Sequence, residues 1–256
     1  LGVRVLLKPA VVIVAALGAA VVLVVAVVAF LAPRHPDAGP DGEQSPLPSW
    51  APPVGPPPRV INPYDGVSVA TLVDPAWLDA TAEATGIPRR ALAAYAGATV
   101  VKEDHRPECR LDWTTLAGIG AVESDHGRHA GSSIDEAGDV TPPIYGPDLD
   151  GNGVALIPDS DGGEIDADAE GDRAVGPMQL IPQTWRNWHV DGNADGVQNP
   201  QNIDDAVMAA ANYLCRASSG FDTVDGWRAG VAAYNSDPAY IGAVAAFAIR
   251  YAEAVT

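Results

Sequence analysis

The sequence predicts a mainly α-helical exported domain with a long Gly/Asp-rich loop or hairpin insertion, preceded by one transmembrane helix and a Pro-rich linker. Three observations carry this prediction. Residues 10–32 hold no charge, residues 33–61 are crowded with proline and glycine, and from about residue 70 apolar residues recur at helical spacing. That helical period is lost over residues 131–175.

The first segment, Ala10 to Ala32, is dominated by Val, Ala and Leu. At about 1.5 Å rise per residue it is long enough to cross a hydrocarbon layer of ~30 Å. Arg4 and Lys8 precede it, so the positive-inside rule leaves residues 1–9 in the cytoplasm and the rest outside. A cleaved signal peptide is the competing reading, but its apolar region is usually shorter, about 7–15 residues. Either reading exports the remainder; the first makes it a single-pass protein of the cell membrane. Residues 33–61 offer neither helix nor sheet ladder and read as an extended, semi-rigid spacer.

The catalytic or binding domain then spans residues 62–256. Asp74-Pro75 opens its first helix, a capping carboxylate followed by proline at the first helical position, and Gly86 suits its end. Pro88 begins a second helix with Leu92, Tyr95, Ala96 and Thr99 on one side. Asp112 caps a third, with Gly127 as its stop. Further helices are expected at about 181–188, 204–218, 227–235 and 238–252, the last with an Asp237-Pro238 cap. Between them the acidic 131–175 insertion is too long for an idle loop.

Composition narrows the function. There are 15 Lys and Arg against 33 Asp and Glu, a net charge of −18, which argues against a nucleic-acid partner. The 47% apolar content argues against disorder throughout. Two cysteines, Cys109 and Cys215, exclude a disulfide-rich miniprotein and a Cys-only zinc knuckle. Outside the membrane they suit one disulfide, with two buried thiols as the alternative. The histidines form no HExxH, so a catalytic zinc site has no support.

The most informative segment is GIGAVESDHGRH. Glu123 falls in the last turn of an otherwise apolar helix, where the helix dipole and desolvation both favour its protonated form. A carboxyl neutral near pH 7 can act as a general acid. An ordinary exposed glutamate at a helix end is the bland alternative. In AVGPMQLIP, a Gly-Pro turn is expected to deliver Met178 and Gln179 into a helix start, and Gln179 offers a donor and an acceptor to sugar hydroxyls or acetamido groups. Ala233-Tyr234-Asn235 closes a short helix and says little alone.

Together and in order, GIGAVESDHGRH, TPPIYGP, DRAVGPMQLIPQTW and DGNADGVQNPQNIDDAVMAAANYLC resemble the lytic murein transglycosylases. The nearest resemblance is to the membrane-bound type B group in its actinobacterial form, with a lysozyme-like catalytic core, from about residue 70 onward. The resemblance implies that Glu123 is the single catalytic acid, that Gln179 and its neighbour Met178 contact substrate, and that Tyr234 and Asn235 line the glycan groove. The implied substrate is the peptidoglycan glycan strand, cut at the β-1,4 bond between N-acetylmuramic acid and N-acetylglucosamine to leave a 1,6-anhydro end. One carboxylate suffices for such chemistry, whereas most glycosidases need two. Asp125 is a poor second, because positions i and i+2 of a helix do not face each other.

Asp191, Asn193, Asp195 and the Val197 carbonyl follow the oxygen-ligand spacing of a calcium-binding loop, with Gly196 at its sixth place. The twelfth place is Asn202 rather than glutamate, but the resemblance implies a longer loop closed by Asp205. The cofactor expected is a structural Ca2+, with a solvated Gly/Asp turn as the alternative. A second run, Asp148 to Asp159, also fits the template but lacks flanking helices and reads better as a surface hairpin with solvated carboxylates. Three other functions stay open: a muramidase in which water captures the intermediate, an inactive glycan-binding scaffold, and a calcium-dependent adhesion module. Targeting is expected to come from the anchor, the spacer or partners in the cell-wall machinery.

Overall fold

The computed structural model describes residues 47–60, 66–149, 151 and 156–256. The proposed anchor at 10–32 and the first part of the spacer lie outside these residues. Among the described residues, no helix is long and apolar enough to cross a membrane. Seven helices dominate the described residues: α1 (Pro75–Thr85), α2 (Arg89–His105), α3 (Trp113–Ser124), α4 (Pro182–Trp188), α5 (Ile203–Ala217), α6 (Val224–Tyr234) and α7 (Pro238–Val255). A short antiparallel pair, β1 (Ser133–Ile134) and β2 (Val140–Thr141), opens the insertion.

The helix starts follow local chemistry. Asp74, Asp112 and Asp237 each accept a hydrogen bond from a backbone N–H of the helix they begin, as N-caps do. Asn202 caps α5 in the same way, through the Asp204 N–H. This accounts for the residue that misfits the calcium template: Asn202 serves the helix. α6 begins at Val224, three residues earlier than its apolar pattern suggests, because Thr223 caps it and Gly226 obscures its first turn.

α3 is the central helix, packed along α7 and against α2 and α5. Its sides are buried from Trp113 to Ala121, which explains why the segment has no polar face. Removing one such leucine side chain from water, Leu116 for example, stabilises the fold by roughly 1.5–3 kcal/mol. Trp227 is buried beside it and donates its indole N–H to Thr115 Oγ1 at 3.0 Å. Close approach of α3 to α7 depends on Gly118, where a Cβ would stand 2.8 Å from the Val244 carbonyl oxygen.

The described part of the Pro-rich segment is extended, and it is also docked. Residues 51–60 form a strap on the helical body. The Asp112 carboxylate accepts the Val54 and Gly55 N–H groups at 3.0 Å each, Asp74 N–H donates to the Pro58 carbonyl, and Val60 N–H donates to Leu72. Ala51 is buried, and Arg59 pairs with Asp104. Proline removes donors from this segment, but its carbonyls and remaining N–H groups still find partners.

The acidic insertion keeps most of its described carboxylates at the surface, with two exceptions. Asp166 and Asp172 are buried. Asp166 accepts the Arg173 N–H, and Asp172 accepts the Ser160 N–H and hydroxyl. Asp159, Asp161 and Asp168 each accept backbone N–H groups two to four residues on, so they shape turns. Asp150 and Asn152 of the second calcium-like run lie outside the described residues. The run's flanks are joined by Ile157 N–H donating to the Leu149 carbonyl, as in a hairpin.

Cys109 and Cys215 form a disulfide across 106 residues, tying the turn before α3 to the end of α5. Cross-linking a loop of that length restricts the unfolded chain. Replacing both cysteines by alanine is expected to lower unfolding stability by about 2–4 kcal/mol in denaturant titration, without abolishing the helical circular-dichroism signal.

Candidate active site

Glu123 is the penultimate residue of α3, and the chain turns sharply after it. Asp125, His126 and Gly127 take left-handed φ values of 51°, 58° and 80°. Such a run costs backbone energy unless its surroundings hold it. Here they do. His126 is buried between two tyrosines, with Nδ1 3.2 Å from Tyr95 OH and Nε2 2.9 Å from Tyr251 OH. Burial lowers the His126 pKa to about 3, so the ring is neutral and bridges the hydroxyls without charge.

Ser124 fastens a second element to this corner. Its hydroxyl donates to the Pro177 carbonyl at 2.6 Å and accepts the Gly127 N–H at 2.8 Å. Pro177 belongs to the 176–179 turn, which is closed by a bridge between Val175 and Leu180. This turn is a hairpin bend and not the helix start expected from sequence; α4 begins only at Pro182. Gly176 is required in it, with φ 74° and only 1.8 Å between a notional Cβ and the Pro200 carbonyl oxygen.

The turn carries two of the expected substrate residues. Gln179 is half-buried in the left-handed region, its amide nitrogen donating to the Gly176 carbonyl. Met178 has no exposed surface, and its carbonyl accepts the Tyr234 hydroxyl at 2.7 Å. Tyr234 and Asn235 are also buried; the Asn235 side chain accepts the Asp237 N–H at the start of α7. Of these residues, Gln179 keeps part of its surface open, while Met178, Tyr234 and Asn235 join the turn, α6 and α7 together.

Glu123 itself is half-buried by surface, with its carboxyl set deep. Tyr240, in the first turn of α7, donates its hydroxyl to Glu123 Oε1 at 2.6 Å. Burial raises the Glu123 pKa to about 8, and the Tyr240 hydrogen bond opposes that shift by favouring the ionised form. At pH 7 the carboxyl therefore keeps its proton in the folded protein. Tyr240 and Ser124 were not identified from sequence. Tyr240 has one local signal, its place just past the Ala233-Tyr234-Asn235 segment and the Asp237-Pro238 cap.

The calcium-like loop lies elsewhere on the body. Asp191 accepts the Asp195 and Gly196 N–H groups, Asn193 donates to Asp195 at 2.8 Å, and Asp195 accepts the Val197 N–H. Asp205, in the first turn of α5, accepts N–H groups from Gly192, Asn193 and Asn199, which ties the loop to the helix. Burial, with a contribution from the Asp191 charge, raises the Asp205 pKa to about 6. An all-oxygen donor set with a buried Asp205 carboxylate near the partly exposed Asp191 is of the kind a hard divalent cation takes. The side-chain oxygens are turned to backbone N–H groups. Among the described residues, the three carboxylates gathered within 4.8 Å of one another are Asp159, Asp161 and Asp172 of the insertion.

Because the Glu123 proton is retained above the ordinary carboxylate range, the unfolded chain loses it first as pH rises. The stability it contributes is fully present below the unfolded value and is lost as pH rises toward about 8. In Tyr240→Phe the opposing hydrogen bond is gone. The Glu123 titration is then expected to move to higher pH, as followed by carboxyl carbon NMR; an unchanged or lower midpoint would contradict this assignment.

Residues 167–247 match the family model described as Transglycosylase SLT domain. The match covers Gln179, the 191–205 loop, Tyr234, Asn235 and Tyr240, and Glu123 lies upstream of it. No curated protein and no solved structure matches the chain significantly. The helical body fits a lysozyme-like fold. The family match indicates a peptidoglycan lytic transglycosylase, a lyase acting on polysaccharide.

Proposed function

We propose that this enzyme cleaves the β-1,4 bond between N-acetylmuramic acid and N-acetylglucosamine and leaves a 1,6-anhydromuramoyl end, with Glu123 as acid and then base. The observation that carries the reading is the Glu123 carboxyl held at Oε1 by Tyr240, beside the element that presents Gln179, where burial raises its pKa to about 8. Glu123 gives its proton to the glycosidic oxygen as the C1–O bond breaks. The substrate's own N-acetyl group stabilises the positive centre at C1. The Glu123 carboxylate then takes the proton from the C6 hydroxyl, whose oxygen bonds to C1. No water is consumed and Glu123 ends protonated, as it began.

In this reading Tyr240 holds one carboxyl oxygen, leaving the other for proton delivery. Gln179 meets the sugar's hydroxyl or acetamido groups. Met178, Tyr234 and Asn235 set the position of the turn that carries it. The type B, actinobacterial form of the family, the single-pass membrane anchor at residues 10–32 and cell-wall partners belong to the same proposal. They are supported by the charge-free segment and the four sequence segments.

A structural Ca2+ also belongs to it, held by Asp191, Asn193, Asp195, the Val197 carbonyl and Asp205. The ion would supply positive charge between the loop and the first turn of α5.

On purified murein, the parent protein is expected to release anhydro-ended fragments in mass spectrometry. Glu123→Gln should be slower by about 10²–10⁴-fold. Fragments with reducing ends would show water capture and a muramidase instead, and undiminished digestion by the variant would remove Glu123 from the mechanism. For the loop, Ca2+ is expected to raise Tm in scanning calorimetry and a chelator to reverse it. Asp205→Asn should suppress the response; a Tm indifferent to Ca2+ in the parent protein would rule the ion out.

A further inference from the structure

A cavity of about 370 Å³ lies where the C-terminal end of α2 meets α4 and α5. Its volume is in the range of small-molecule sites. Glu123, Tyr240 and Gln179 do not line it.

Lys102 stands in the cavity wall and is only 6% exposed. Its ammonium donates to Asn212 Oδ1, and the Asn212 amide nitrogen donates to the Trp188 carbonyl at 3.0 Å. Asn212 and Trp188 line the same cavity, so these bonds place the ammonium at its wall. A single hydrogen bond to a neutral amide leaves the ammonium with further donors. Among the described residues, Lys102 forms no ion pair.

The charge that acts on Lys102 has its own sign. Burial, and after it the Arg106 guanidinium, lower the Lys102 pKa to about 8. Arg106 is also at the cavity, where its Nη2 donates to the carbonyl of Cys215, another lining residue, at 3.4 Å. Its Nε donates to Glu108 at 2.6 Å, and these two bonds leave guanidinium N–H groups over. His105 and His189 complete the titratable lining, which holds no carboxylate. Asp191 borders an adjoining hollow that Lys102 also lines, but its charge is not among those that shift Lys102.

In a chain with 33 acidic and 15 basic residues, an all-basic lining is not a sample of the surface. Helix C-termini attract cations, which accounts for His105 and Arg106 at the exposed end of α2. It does not account for Lys102. A solvated lysine could serve the helix end without the cost of taking an ammonium out of water.

We propose that this cavity is a binding site for a phosphate dianion, with Lys102 and Arg106 as its two cationic donors. Lys102 supplies a buried point charge, and Arg106 supplies planar N–H donors to the phosphate oxygens. The two charges of the dianion match these two cations, whereas a carboxylate or a phosphodiester carries one. Inorganic phosphate and a sugar phosphate monoester present the same dianion, and Trp188 offers an aromatic side to a sugar that carries it. None of this depends on the reaction assigned to Glu123.

Lysine occurs only at positions 8 and 102, so lysine labelled at Cε gives one reporter in the cavity and one internal control. The test follows both signals by NMR, on the full chain in detergent micelles at constant ionic strength. Inorganic phosphate and glucose 1-phosphate are expected to shift the Lys102 signal saturably and leave Lys8 in place. The Lys102 titration should move to higher pH, because a bound anion favours the ammonium. Dimethyl phosphate and acetate should bind about tenfold or more weakly, as loss of a charge-assisted contact does. Whichever of inorganic phosphate and glucose 1-phosphate binds more tightly identifies the source as the free ion or a phosphorylated sugar. Arg106→Gln, at an exposed position, should weaken phosphate binding about tenfold or more. Lys102→Met should abolish it, as read from the phosphorus signal of the probe. The proposal is overturned by a Lys102 signal indifferent to phosphate, by acetate or dimethyl phosphate binding as tightly as phosphate, or by an Arg106→Gln protein that binds phosphate as the parent does.

Discussion

Glu123 and Tyr240 meet because α3 and α7 lie against each other along most of their length, with Gly118 allowing the two backbones to approach. That packing takes the carboxyl away from water, and the cost of charging it there keeps it protonated at neutral pH. The left-handed corner after α3 turns the chain back at once, held by the neutral His126 between two tyrosine hydroxyls. The Glu123 carboxyl thus sits on a rigid helix end, and its proton affinity is set by helices distant in sequence.

Much of this was legible in the sequence where the determinants are local. Asp74, Asp112 and Asp237 act on backbone N–H groups two or three residues away, so the starts of α1, α3 and α7 could be read directly. Glu123 could be read because its helix is apolar on all sides. Tyr240 could not, since it is 117 residues away and becomes a partner only through α3–α7 packing. The strap was hidden for the same reason. Proline-rich composition describes residues 51–60 correctly as extended, but their docking depends on Asp112, 57 and 58 residues later in the chain.

The acidic insertion shows a different limit. Charge counting treats its carboxylates as a solvated surplus, yet Asp166 and Asp172 are buried and organise the loop through backbone N–H groups. Short acidic side chains are efficient at this, because they satisfy donors that a strand or helix would otherwise engage. The same local habit explains Asn202, whose side chain is committed to capping α5. Residue type alone does not tell whether such an oxygen faces a backbone donor or a cation.

Asp112 holds the strap by one carboxylate oxygen and the first turn of α3 by the other. Tension applied through the N-terminal chain is met first at Leu47, Trp50 and Ala51, which pack on the helical body, and next at Asp112, at the far end of the same helix that carries Glu123. The disulfide at Cys109 braces that point from the side of α5. Mechanical load that passes these first contacts thus meets a covalent buttress at the start of α3.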